Sequence, residues 1–403
     1  MSTLALDPRS ELAPGAWLRL TSAAALGATL LAIVSGVAGV TSVHRLLAGL
    51  AAPPLASLVV ASYGAHRRLL PASAASFVLF GAAAAVTVPS AHVVLASAAF
   101  AATVVVSRQA WQGQEAARGA LRDYVTLTKP RIMSLLLLTG ACGLIVGRGG
   151  IPPAGRFAAT MLGLALACGG ASALNHLLDR DIDRLMGKRT ERRPVAAGRL
   201  SPAQALEFGL ALSAFSFVLL ATAVNLLTAA LALLGNLFYV CVYTRWLKRS
   251  TPQNIVIGGA AGAIPPLVGY AAAYGHLGAA AWWMFAIVFL WTPPHFWALA
   301  LLLEEQYAAA SVPMLPVVSG RRATLQQMLA YSSLLVVCTV LPAGLGTFGG
   351  IYLAAACLLG GGFLALGVRL ARQPTRRNAA QLFHASLLYL ALLFAAMAVN
   401  AVL

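Results

Sequence analysis

Asn175-His176-Leu177-Leu178-Asp179-Arg180-Asp181-Ile182-Asp183 places three carboxylates inside nine residues of a chain that has only eleven acidic side chains. The apolar run 157–174 precedes it, and Arg184, Lys188, Arg189, Arg192, Arg193 and Arg199 follow. Acid at the end of a membrane-length run is costly unless it faces protein, water or a metal, so the first reading there is functional. On a continuous helix Asn175, Asp179 and Asp183 recur at i, i+4 and i+8. They drift about 40° per step and form a stripe of oxygen ligands roughly 12 Å long. Such a stripe suits Mg²⁺, which takes one or two carboxylates and completes its shell with water and phosphate oxygens. The basic run behind it, with Lys188 and Arg192, is placed to hold the rest of a phosphate-rich ligand. The plain alternative is a solvated helix end with local ion pairs, and Asp181 with Arg180 fits that description.

Two further constellations stand at the same depth. Tyr243-Thr244-Arg245-Trp246-Leu247-Lys248-Arg249 closes an apolar run. The chain's three lysines, Lys129, Lys188 and Lys248, all fall in loops expected on one face, where they read as point-charge contacts to phosphate. The other constellation is Trp291-Thr292-Pro293-Pro294-His295-Phe296-Trp297, followed by Glu304-Glu305-Gln306-Tyr307 and Val312-Pro313-Met314-Leu315-Pro316. His295 among aromatics in a Pro-interrupted span is either a satisfied structural residue or a heme-facing or catalytic one. Glu304 and Glu305 end that span on the side of Asp179 and Asp183. Five of the eleven acids thus fall at two helix ends on one face, the pattern of a two-sided metal–diphosphate clamp. Gly258-Gly259-Ala260-Ala261-Gly262-Ala263-Ile264-Pro265-Pro266 reads as small-residue helix packing before a kink.

The elements that must position these groups are membrane helices. The chain is 60% hydrophobic and 10% charged, with a mean hydropathy of +0.82. Soluble domains carry about 25% charged residues, so the class is an all-α integral membrane protein embedded in a lipid bilayer. The net charge of +17 sits in short loops. That is an orientation signal and not a nucleic-acid face. Five cysteines without CxxC spacing read as small core residues. Residues 1–15 contain Pro8 and Pro14 and no basic segment abutting an apolar one, so no cleavable signal is expected.

Residues 1–107 are expected to hold about four spans, near 16–41, 46–64, 69–87 and 89–107. Residues 108–130 are polar and read as a linker. Residues 131–403 are expected to form nine spans, at 131–148, 156–178, 203–223, 226–244, 254–274, 279–302, 326–348, 350–368 and 380–402. Loops after the second, fourth, sixth and eighth of these carry most of the basic residues; the alternate loops carry Arg148 and Arg156 in the first and no Lys or Arg afterwards. The positive-inside rule puts the basic loops, and the acidic stretch, on the cytoplasmic face of the plasma membrane.

The ordered motifs N-x-x-x-D-x-x-x-D and Y-T-x-x-L-K-R-x-T-x-x-N-I-V-x-G-G resemble those of the UbiA-type intramembrane prenyltransferases. Thr128–Arg131, Pro294–Ala300 and Val312–Val318 resemble the branch of that family that farnesylates protoheme IX. The likeness covers about residues 123–402. It implies nine helices around a cavity, Mg²⁺ as cofactor, farnesyl diphosphate and heme b as substrates, and heme O as product. Carried onto this chain, it implies Asn175, Asp179, Asp183 and Glu305 as metal ligands. Asp179, Asp183, Lys188, Lys248 and Arg249 become the catalytic set, and Lys129, Asn175, Arg192, Tyr243, His295 and Tyr307 contact substrate. One departure stands out: Gln306 occupies the position before the tyrosine where the family has an acid, and a carboxylate moved by one residue swings about 100°. Residues 1–107 lie outside that likeness. With Val43–Ala48 and His92 they resemble, in degenerate form, half of a heme A synthase, which makes that enzyme a candidate partner.

Overall fold

Long apolar runs in lipid must pair every backbone polar group internally, which leaves helices as the solution for this composition. In the computed structural model, which describes residues 121–403 and a scatter of earlier positions (24–25, 54–55, 58–59, 73–74, 76 and 78–79), no strand occurs among the described residues. Nine described helices are long and apolar enough to cross a membrane. The chain divides into two units, Met1–Ala116 and Ala117–Leu403. The four expected N-terminal spans lie outside the described residues.

The elements are α1 (Leu121–Leu127), α2 (Pro130–Arg148), α3 (Ala154–Leu178), α4 (Arg180–Leu185), α5 (Lys188–Glu191) and α6 (Pro202–Ala223). Next come α7 (Leu226–Leu237), which runs on through a π-helical segment (Phe238–Leu247) to a last turn (Lys248–Ser250), then α8 (Asn254–Tyr274), α9 (Ala279–Leu302) and α10 (Glu304–Ala309). The chain closes with α11 (Leu315–Gly344), α12 (Gly350–Arg372) and α13 (Arg376–Val402). The membrane-length helices pack in chain order and α13 returns to α2, closing a ring. Contacts of α2 with α8 and of α9 with α13 brace it.

Local chemistry sets the ends. Ser201 and Gln204 form a capping box with Pro202 at the first turn of α6. Asn225 accepts from the Thr228 amide to start α7. Gly149, at φ 64°, stops α2. The seventh span departs from expectation. It is two helices that meet at a non-helical Gly320 (φ 76°, ψ 169°): a short one from Leu315 and a long limb that starts at Arg321, not near 326, and ends at Gly344. Arg321 and Arg322 therefore open its long limb, where glycine alone tolerates the turn. The fourth span continues to Ser250 because the π-helical segment prolongs it.

Lipid tails are as apolar as leucine, so helix association here rests on close packing. Gly140, Gly143 and Gly269 provide it between α2 and α8. A Cβ on Gly269 would collide with the Gly140 carbonyl, and one on Gly143 with the Pro266 carbonyl. Gly258 and Gly259 make room for the Tyr243 ring and Thr292. Opposite that seam, Trp291, Trp297, Tyr352, Phe363, Tyr389 and Phe394 fill the core of α9 and α11–α13.

Candidate active site

The acidic stripe forms, although its helix does not run straight. The backbone breaks at Asp179 (φ −89°, ψ 3°), between α3 and α4. Yet Asp179 N–H donates to the Asn175 carbonyl at 2.9 Å and Asp183 N–H to the Asp179 carbonyl at 2.8 Å. These i→i−4 bonds preserve the register across the break, so Asn175, Asp179 and Asp183 are all buried.

Asn175 is the hub. Its Oδ1 accepts from Lys129 Nζ at 2.7 Å, and its Nδ2 donates to Asp179 Oδ2 at 2.8 Å and to Thr244 Oγ1 at 3.1 Å. Lys129 reaches it from a left-handed backbone (φ 50°). That conformation is uncommon for a non-glycine residue and costs of order 1–3 kcal/mol, a strain that clusters at functional sites. The residue as a whole is half-buried, and its ammonium reaches in to buried Asn175. Burial, and then the neighbouring Arg193, lowers its pKa to about 7.

Lys248 Nζ lies 2.5 Å from Asp179 Oδ2, and Arg193 Nη1 lies 2.5 Å from Asp183 Oδ1. Burial raises the pKa of the Asp183 carboxyl, against the pull of Arg193. Asp179 Oδ1 and Asp183 Oδ2 remain buried without a hydrogen-bond partner. Two unengaged carboxylate oxygens on one buried face are the donors a hard divalent cation takes, so the residues present fit Mg²⁺.

The π-helical segment brings Thr244 and Lys248 to this stripe and stacks Tyr239 on Tyr243, with ring centroids 5.4 Å apart. Tyr243, Phe296 and Tyr307 pack around Ile182, Met186, Ile255, Val312 and Met314, giving the acidic face an apolar wall. Burial raises the Tyr307 phenol, whose charged neighbours are Lys248, Arg193 and Asp179.

Other expected site residues lie elsewhere. Arg249 grips Asp181 with two bonds of 2.7 Å and the Leu178 carbonyl at 2.6 Å, so it braces the end of α3. That grip holds the Asp181 carboxyl well below its usual range. Lys188 and Arg192 are exposed. Glu305 is exposed, and Glu304 is taken by Arg321 at 2.7 Å. Among the described residues no three His, Cys, Asp or Glu side chains are grouped to hold a metal ion, and Glu305 does not join Asp179 and Asp183 in such a group. The reason is helical: residues two apart on α10 point about 200° apart, and α10 turns Tyr307, not Glu305, toward the site. His295 is buried between Trp291 (4.3 Å) and Phe383 (4.8 Å), with Nδ1 2.6 Å from Ser386 Oγ.

Three groups at the site escaped the sequence reading. Arg193, next to the expected Arg192, is the arginine that turns inward. Thr244 had no signal beyond its place in the Tyr243–Arg249 motif. His176 is buried with both ring nitrogens unpartnered, and its charged neighbours are Lys129, Arg193 and Lys248. The signal for it was a histidine inside the acidic motif itself.

Comparison with known proteins agrees with this geometry. Residues 136–397 match the UbiA prenyltransferase family. A Symbiobacterium thermophilum protein named protoheme IX farnesyltransferase is 57% identical over 279 residues, covering 69% of this chain and 93% of that one. A Gloeobacter violaceus protein of the same name is 52% identical over 285 residues, covering 70% and 93%. One from Thermus thermophilus is 51% identical over 279 residues, which are 69% of this chain but 46% of that longer relative. Among solved structures, a digeranylgeranylglyceryl phosphate synthase superimposes with TM-score 0.59 at 20% identity, covering 70% of this chain and 98% of the other. A UbiA homolog from Archaeoglobus fulgidus bound to GPP and Mg²⁺ gives 0.54 at 18% identity, covering 68% and 99%. The structures speak for the ring of helices and the sequence relatives for the whole length of the bundle: this chain is a multi-pass membrane prenyltransferase and belongs to the UbiA prenyltransferase family.

Proposed function

We infer that the chain transfers the farnesyl group of farnesyl diphosphate to the 2-vinyl group of heme b, with addition of water, to give heme O. The observation that carries this reading is 57% identity across 93% of a relative named protoheme IX farnesyltransferase. Asp179 and Asp183 are assigned to Mg²⁺ through their unengaged oxygens, with Asn175 orienting Asp179. Bound there, the ion neutralises charge on the diphosphate and makes it a better leaving group.

Lys129, Lys248 and Arg193 are assigned to the diphosphate oxygens, where their N–H donors meet charge as the C1–O bond breaks. The diphosphate leaves with the bonding electrons. The terminal carbon of the vinyl group bonds to C1 of the farnesyl chain. The cation left beside the porphyrin takes a water oxygen and releases a proton, giving the hydroxyethylfarnesyl group. Tyr239, Tyr243 and Tyr307 offer aromatic faces to the cationic carbon. The apolar wall around Met186 and Met314 keeps early water from it. The basic loops support an orientation with this end of the bundle at the cytoplasmic face of the plasma membrane. Residues 1–107 are read as a degenerate heme A synthase-like segment or a packing partner, and a heme A synthase is a candidate partner of the enzyme.

The test is purified protein given farnesyl diphosphate and Mg²⁺ with either heme b or 4-hydroxybenzoate, read by mass spectrometry. Heme b carrying a hydroxyethylfarnesyl group is expected; prenylation of the benzoate alone refutes the substrate. Asp179→Ala abolishes transfer in a folded protein, and full activity in that variant removes the metal assignment.

A further inference from the structure

A groove of about 610 Å³ opens between the ends of α12 and α13, away from the acidic site, and is lined by Leu366, Arg369, Arg377, Ala380, Gln381 and His384. Arg377, Gln381 and His384 recur at i, i+4 and i+7, which makes a polar stripe along one side of α13. His384 lies two turns inside a span whose mean hydropathy is 2.1. Polar groups that deep in a membrane helix are expensive and ask for a ligand or a pathway. The two arginine side chains form no ion pair or hydrogen bond among the described residues, and Gln381 Oε1 is buried without a partner.

The imidazole is oriented. His384 Nδ1 lies 2.7 Å from the Ala380 carbonyl. A carbonyl only accepts, so Nδ1 carries the proton and Nε2 presents its lone pair to the groove. This is the tautomer found in metal-bound imidazoles, whose other nitrogen donates to a carbonyl or carboxylate. The site thus combines a metal-ready nitrogen, two unpaired guanidinium groups and an apolar floor. Seven residues of helix separate Arg377 from His384, about 10.5 Å along the axis. That spacing suits a flat apolar disc with a metal at its centre and carboxylates along one edge.

We propose that this groove is a heme-docking site: His384 Nε2 ligates the iron, Arg369 and Arg377 pair with the propionates, and Leu366 and Ala380 contact the porphyrin face. The proposal rests on heme being the substrate. It also gives the heme a way in from the bilayer. Phe383, the neighbour of His384, stacks on buried His295 at 4.8 Å, so only the thickness of α13 separates the groove from the bundle interior. A lipid phosphate satisfies the two arginines equally well, but it has no use for an imidazole lone pair.

The experiment titrates full-length protein in detergent, without prenyl diphosphate, with ferric protoporphyrin IX and with metal-free protoporphyrin IX. Soret absorbance and electron paramagnetic resonance report the iron ligand. His384 is exposed, so His384→Ala leaves the fold intact. In that variant the imidazole signature disappears and ferric heme binds at least about 10-fold more weakly, while metal-free porphyrin binds as in the parent. Arg369→Gln with Arg377→Gln weakens both porphyrins about 10-fold and retains the iron signature. Parent spectrum and affinity in His384→Ala overturn the proposal. So does competition by anionic phospholipid vesicles that depends on the arginines while His384→Ala leaves heme binding untouched. A protein that binds heme through His384 but forms no heme O keeps the groove and loses the reaction. One that forms heme O with an unchanged heme KM in His384→Ala keeps the reaction and loses the groove.

Discussion

Lys248→Met separates the two duties of the site, holding Asp179 and receiving diphosphate. Lys248 Nζ is 2.5 Å from Asp179 Oδ2, with side-chain exposures of 12% and 1%. Removing one partner of a buried ion pair strands the other charge at a cost of roughly 3–5 kcal/mol. Asn175 Nδ2 still donates to the same oxygen at 2.8 Å, so the lower end applies, about 3 kcal/mol. Methionine preserves the aliphatic stem, which keeps the packing term small. A divalent cation on Asp179 replaces the missing charge, so Mg²⁺ should recover more stability in the variant than in the parent. Turnover also loses a charge-assisted contact to the leaving group. At about 1.5–3 kcal/mol that is a fall in kcat of about 10- to 150-fold. Thermal unfolding in detergent with and without Mg²⁺, beside initial rates at saturating heme, measures both effects. A variant with the parent's unfolding midpoint and kcat refutes the placement of Lys248 as counter-ion and diphosphate contact.

Arg249→Ala tests whether that arginine is structural. Its pair with Asp181 is partly exposed, at 30% and 59%, and contributes no more than about 1 kcal/mol; with the lost bond to the Leu178 carbonyl stability falls by about 1–2 kcal/mol, and kcat stays within a few-fold. A hundredfold loss of kcat would return Arg249 to the substrate. Gly269→Ala forces α8 off the Gly140 carbonyl and destabilises the bundle by about 1–3 kcal/mol; an unshifted unfolding midpoint contradicts that contact. His176→Leu removes two unpartnered buried nitrogens, so the unfolding midpoint holds or rises. Its position among Lys129, Arg193 and Lys248 predicts a roughly 10-fold higher KM for farnesyl diphosphate. An unchanged KM assigns His176 to packing.

The fold was legible because bilayer thickness and the backbone's need for internal hydrogen bonds leave little choice once apolar runs are counted. Eight of nine spans begin within four residues of expectation. The exception is the seventh: a short helix from Leu315 precedes it, and past the kink at Gly320 the long limb starts at Arg321, so the basic pair read as loop lies inside its first turn. The acidic stripe was legible for a similar reason: spacing of four keeps one face even where the helix breaks, since the i→i−4 bonds survive. Which arginine serves it was not. Arg192 and Arg193 sit at the end of a four-residue helix, where adjacent side chains diverge by about 100° and local turns decide which enters.

The π-helical segment shows where periodic reasoning stops. Counted as an α-helix, Tyr239 and Lys248 lie nine residues and about 900° apart, on opposite faces. Only one of them would then reach Asp179. In the structure the Tyr239 phenol and the Lys248 ammonium interact electrostatically with each other, and Asp179 with both. Hydrogen bonds of the i→i+5 type widen each turn, so residues four and five apart stack on one side. Tyr239, Tyr243, Thr244 and Lys248 thereby line up toward the acidic stripe. The same widening explains why the lysine, not the adjacent Arg249, faces Asp179 while Arg249 turns out to Asp181. No residue in Phe238–Leu247 marks the change of pitch: there is no proline or glycine in it, and its composition suits either helix. What selects the wider turn is the tertiary demand that a lysine, a threonine and two tyrosines meet one pair of buried carboxylates. A site whose polar residues fall out of phase with 3.6 is therefore itself a sign that its helix is not α.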